Sequence, residues 1–127
     1  MQQQHLFEYA VIRIVPRVER EEFLNVGVIV YCSKLQFLQV RFDINRERLN
    51  AFCGKIDLEE VEENLHAFER ICAGGNGAGP IGKLDMPSRF RWLTAVRSTV
   101  VQTSKVHPGI CSDPLEKINR LFQQYVE

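Results

Sequence analysis

The stretch Phe23–Cys32, FLNVGVIVYC, is almost wholly apolar and rich in β-branched residues. It is far shorter than the roughly 20 apolar residues of a membrane-spanning helix. It fits a strand covered on both faces, so the rest of the chain, or a second subunit, must cover both sides of a sheet. Leu6–Val15 has similar character and stops at Pro16, which reads as a first strand joined to Phe23–Cys32 by the charged loop Arg17–Glu22. Ser33 and Lys34 make a tight turn into a third strand, Leu35–Asp43. Strands in sequence with short joints form an antiparallel meander.

Helical signals follow. Asn45 is a suitable N-cap for a short helix, Arg46–Cys53, with Gly54 at the position that favours a left-handed C-cap. Asp57 and Glu60 make a capping box, and Leu58, Val61, Leu65, Phe68 and Cys72 recur at helical spacing up to Gly74 and Gly75. Pro87 suits the first turn of a helix through Trp92, docked by Phe90 and Leu93. Ser98–Ser104 reads as a fourth strand. Asp113 and Pro114 open a last helix with Leu115, Ile118, Leu121, Phe122 and Tyr125 inside. The expected fold is a single α+β domain over residues 1–127: a three-strand antiparallel meander, a fourth strand and helices packed on the sheet, with a flexible glycine-rich connector over 73–84.

Charge narrows the function classes. The 127 residues carry 16 Lys plus Arg against 16 Asp plus Glu, which excludes a protein that is basic all over. The balance hides two opposed patches. Asp57–Glu69 holds acids and no Lys or Arg, while Met86–Ser112 holds Arg89, Arg91, Arg97 and Lys105 and no acid. The latter reads either as a solvated face or as part of an anion site. The Gln-rich start lacks a basic region and an apolar core, so a cytoplasmic chain with no membrane segment is expected. Cys32, Cys53, Cys72 and Cys111 show no CxxC pair and read as reduced, mostly packed thiols.

Symmetric closure of the first hairpin sets Arg13 opposite Asn25 and Val11 opposite Gly27. Phe7, Tyr9, Val11 and Val15 then share a face with Phe23, Ile29 and Tyr31, and Ile12, Ile14, Leu24, Val26, Val28 and Val30 share the other. A guanidinium among these residues needs a partner or a polar opening. Either Arg13 pairs with Glu22 or another internal carboxylate, or Arg13, Arg17 and Asn25 face a cleft that takes an anion. Docking of the fourth strand beside the first or third would add Arg97 and Gln102, and Gly27 leaves room for something to approach the backbone.

Other motifs carry less. Gly77, Gly79, Gly82 and Lys83 mimic nucleotide-binding loops. Those loops need a strand before the glycines and a helix directly after, whereas here a helix precedes them, Pro80 removes an amide and Leu84 replaces the Ser or Thr. His107 and Cys111 flank a Pro-Gly pair and read as loop and packing residues rather than a catalytic pair. The Cys and His residues lack paired-ligand spacing, so neither a metal nor another cofactor is expected.

The stretch Tyr9-Ala-Val-Ile-Arg13-Ile-Val-Pro16-Arg17, running into Glu22-Phe-Leu-Asn25-Val-Gly27-Val, resembles the opening signature of a bacterial family of short proteins, domain of unknown function 3037. The second half is similar as well, in Gly79-Pro80-Ile-Gly82, Arg89-Phe-Arg91-Trp92-Leu-Thr94, Arg97-Ser98-Thr99-Val-Val-Gln102 and Val106-His107-Pro-Gly109. Val96 and Lys105 stand where the family pattern often has proline. The resemblance implies no assigned activity. It implies proteins often encoded beside a HipA-like serine/threonine kinase, and a polar set that maps onto Arg13, Arg17, Glu22, Asn25, Arg91, Arg97, Ser98, Gln102 and His107. Folding would gather such a set into a binding site or a buried network. The expected function is a non-enzymatic accessory or protein-interaction module, partnering such a kinase or a second copy of itself. The alternative is a phosphate-recognising protein or enzyme acting on nucleic acid or nucleotide through an Arg-lined cleft, with His107 as acid or base.

Overall fold

Two strands of β-branched residues, β1 (His5–Ile14) and β2 (Leu24–Cys32), form the middle of an antiparallel sheet, with β3 (Phe37–Phe42) beyond β2. The computed structural model describes residues 3–17, 20–97 and 99–127. The remaining elements are α1 (Arg46–Phe52), α2 (Leu58–Ala73), α3 (Met86–Leu93), β4 (Val101–Thr103), β5 (His107–Cys111) and α4 (Pro114–Tyr125). Both β4 and β5 pair antiparallel with the outer side of β1, at its two ends. This is the expected α+β architecture, with the fourth strand reduced to three residues and one further strand. No helix is long and apolar enough to cross a membrane among the described residues.

The sheet is covered on both faces, as the apolarity of β2 demands. Ala10, Ile12, Ile14, Val26, Ile29 and Tyr31 pack against α2 and α3 through Val61, Leu65, Phe68, Phe90 and Leu93. On the other face Phe7, Val11, Val28, Val30 and Cys32 pack against Ile118, Leu121 and Phe122 of α4. This corrects the symmetric register. Arg13 does face Asn25, but Gly27 faces Ile12 rather than Val11, because the register shifts between Ile12 and Arg13. One extra residue of β2 sits there as a bulge, and a one-residue slip exchanges the faces of everything beyond it. Ile29 and Tyr31 therefore lie across the sheet from Phe7, while Val28 and Val30 lie beside it.

Gly27 does admit a close approach, but by the fold itself. A Cβ there would lie 2.7 Å from the Arg41 carbonyl oxygen and 2.8 Å from Phe42 Cβ, both in β3.

The helix caps follow the local chemistry. Asn45, Asp57, Asp85 and Asp113 each accept a backbone N–H through the side chain at the start of α1, α2, α3 and α4. Gly54 is not a left-handed cap, since α1 ends at Cys53 in extended conformation. Leu115 is another departure: it is exposed, and Pro114 is buried in its place on the inner face of α4. The glycine-rich segment forms two short 3-10 turns, 76–78 and 81–83, closed by Gly75 N–H donating to the Gly82 carbonyl at 2.9 Å.

His107–Cys111 is a strand rather than a loop, and it shows why Pro108 and Gly109 are tolerated there. Val11 exchanges its backbone groups with Ser104, so alternate residues of β1, Phe7 and Tyr9 among them, face β5, and Pro108, opposite Glu8, turns its ring nitrogen, which has no hydrogen to donate, away from β1. Gly109 lies under the Phe7 ring, whose atoms would be 2.6 Å from a Cβ at that position.

Candidate functional site

Ile12 and Ile14 enter the layer of α2 and α3, so Arg13 between them emerges on the side of α4. Its register partners are Asn25 on β2 and Gln102 on β4. The Arg13 guanidinium lies over the Phe23 ring, 4.0 Å from its centroid, and Phe23 itself is 46% exposed. Arg13 Nε is buried without a hydrogen-bond partner, and burial pushes the guanidinium pKa down. Asn25 donates through Nδ2 to the Tyr125 carbonyl at 3.2 Å. That bond fixes the amide and leaves its Oδ1 buried with no donor. A donor and an acceptor on paired residues are thus both withdrawn from water and both unsatisfied among the described residues, at a cost of about 1–3 kcal/mol each.

Along the same face, Tyr9 and Tyr125 share a hydroxyl hydrogen bond of 3.2 Å, and the Tyr9 ring lies 5.4 Å from that of His107, its register partner on β5. Between the two ends, Ser104 Oγ accepts the Val11 N–H at 2.8 Å and bridges the gap from β4 to β5. The hydrogen bond to Tyr125, with burial and the charge of Tyr125 adding to it, raises the Tyr9 pKa from 10.0 to about 12. The folded chain therefore holds this proton where the unfolded chain has lost it, so its contribution to stability is present below pH 10 and lost as the pH climbs towards 12. Tyr125→Phe should return the Tyr9 transition towards 10 in a tyrosinate absorbance titration.

The other expected site residues are dispersed. Arg17 is exposed and lines a surface hollow with Pro16, Cys53 and Asp57. Glu22 pairs with Arg20 at 3.2 Å, and no described carboxylate pairs with Arg13. Arg91 is exposed on α3. Arg97 donates to the carbonyls of Trp92 and Leu93 at the end of α3 and lies over the Trp92 and Phe68 rings, so it belongs to the opposite layer from Arg13. Burial lowers its pKa as well. Ser98 lies outside the described residues. The structure thus gathers Arg13, Asn25 and Gln102, sets His107 further along the same face, opposite Tyr9, and leaves Arg17, Glu22, Arg91 and Arg97 elsewhere.

Tyr9, Phe23 and Tyr125 complete the face, and they were legible only as packing residues. Arg89 is a structural residue of the basic run: 9% exposed, it donates through Nη1 to the carbonyls of Ile71 and Cys72 and through Nε to Leu84. Its position four residues before Leu93 on the inner stripe of α3 was the available signal. No group of three His, Cys, Asp or Glu side chains is placed to hold a metal among the described residues. No curated protein and no solved structure matches the chain. A family model matches residues 9–126, which takes in every residue of the Arg13 face. The chain belongs to the family described as Protein of unknown function (DUF3037).

Proposed function

We propose that this chain is a non-enzymatic interaction module, and that the Arg13 face docks a protein partner presenting a carboxylate. The observation that carries this reading is the Arg13 guanidinium stacked on half-exposed Phe23, without a carboxylate among the described residues and with a buried, unpartnered Nε. The guanidinium has no counter-charge among the described residues, and an acidic side chain from outside would supply one through the terminal nitrogens, which are not enclosed as Nε is. Arginine with flanking tyrosine and phenylalanine is also the composition of energetic hot spots at protein interfaces.

A carboxylate suits the geometry better than a phosphate. A dianion calls for several converging cations, and Arg17, Arg91 and Arg97 do not converge on Arg13. A HipA-like serine/threonine kinase, the partner that the resemblance implies, is the first to try.

Co-purification of a tagged copy from its native host tests the reading. Wild-type protein should retain a partner and Arg13→Met should lose it, whereas a wild-type chain that runs alone would count against docking. A thermal-shift panel of nucleotides, short DNA and short RNA at low and high salt supplies the contrary outcome. Salt-sensitive stabilisation that Arg13→Ala abolishes would favour the phosphate reading instead.

A further inference from the structure

The two edges of the sheet are unlike. The edge formed by β4 and β5 is short, interrupted at Ser104–Val106, and carries Pro108 with its nitrogen turned outward, all features that block the addition of another strand. The opposite edge is β3, six residues without proline, lysine or bulge.

The hydrogen-bonding direction along β3 can be fixed. Asp43 donates its N–H to the Val26 carbonyl at 2.9 Å, and strand residues alternate in direction, so Phe37, Gln39 and Arg41 face β2. Leu38, Val40 and Phe42 therefore turn their N–H and C=O groups away from the sheet. None of these groups has a side-chain or loop partner among the described residues.

We infer that β3 pairs antiparallel with β3 of a second copy of this chain, with Val40 on the two-fold axis, so that two sheets join into one. The outward-facing residues close on themselves in this register: Val40 meets Val40, and Leu38 meets Phe42 in both directions. Each such pair exchanges both of its backbone bonds. Side chains agree with the same register. On the side of α2, Val40 pairs with its own copy and Leu38 with Phe42, while on the side of α4, exposed Gln39 lies across from Arg41 of the second copy. Arg41 is already turned inward, donating to Asn119 at 2.6 Å and lying 4.2 Å from the Phe122 ring centroid, so no like charges meet. Asp43 lies across from Phe37 of the second copy. A two-fold axis through one strand makes an isologous, closed contact, which yields a dimer rather than a filament.

The test is sedimentation and hydrogen exchange on the full chain. The sedimenting species should have twice the 14.7 kDa chain mass. The amides of Leu38, Val40 and Phe42 should exchange slowly in the dimer. Val40→Pro removes an outward N–H and leaves the bonds to β2 intact, so it should raise the dimer Kd tenfold or more, by roughly the loss of one bonded pair. Gln39→Lys places a cation across from Arg41 and should weaken the dimer without touching the core, which keeps the test valid should the proline variant fold poorly. A chain that stays monomeric up to about 100 μM, where micromolar interfaces are populated, overturns the proposal. So does a dimer whose Leu38, Val40 and Phe42 amides exchange fast.

Discussion

Arg89→Met should lower the unfolding free energy by about 3 kcal/mol, read by urea denaturation, although the residue lies in the run that looks most like a binding surface. Its guanidinium is held by the carbonyls of Ile71, Cys72 and Leu84 at 2.8–3.1 Å. The first two belong to the last turn of α2, where helix carbonyls have no partners of their own and the helix dipole favours a cation. Gly74 makes the seat possible: at a φ of 76° it turns the chain out of the helix, and a Cβ there would lie 2.7 Å from Arg89 Nη1. Methionine fills a similar volume but leaves three carbonyls without a donor. Lysine should recover little, since one ammonium cannot reproduce the planar fork that meets carbonyls on both sides.

Gly27→Ala should cost about 2 kcal/mol, in the range of overpacked core substitutions. The added Cβ would lie 2.7 Å from a backbone oxygen, that of Arg41, so β2 and β3 must move apart for it to fit. A flexible side chain could yield at low cost; a strand in a sheet held by helices on both faces cannot. Thermal denaturation of Gly27→Ala beside Val40→Pro separates the two ideas about β3. The first should lose stability, and the second should lose association while keeping most of its stability.

The fold was legible where a local signal had a single reading. Asn45, Asp57 and Asp113 read correctly as caps because each precedes an apolar helical pattern and has a free carboxylate or amide. The two-sided apolarity of β2 likewise called for two covering layers, and α4 supplies the second. What escaped depended on partners distant in sequence. The β2 bulge changes no residue type, yet it moved Ile29 and Tyr31 to the other face. β5 was hidden because Pro108 and Gly109 spell a turn locally; only the position of Pro108 on an edge, and Phe7 over Gly109, allow a strand.

The site divides in the same way. Arg13 and Asn25 were readable because strand pairing is nearly arithmetical near a hairpin, and Gln102 because a fourth strand docks beside the first. Arg97 was not, since its direction depends on the carbonyls that end α3 and on the Trp92 ring. Glu22 had two arginines within reach in sequence, and it takes Arg20.

The central claim is that Arg13 is kept for a partner and not for the fold. Equilibrium unfolding of Arg13→Met beside wild type tests it most directly. Methionine can cover Phe23 as the guanidinium does, at the loss of about 0.5–1 kcal/mol of cation–π attraction. It also removes an Nε–H that is buried without a partner, which offsets that loss. Arg13→Met should leave stability unchanged or slightly raised and should lose partner retention. A loss above about 2 kcal/mol, the size expected when a buried network is broken, would contradict it and make Arg13 a structural residue.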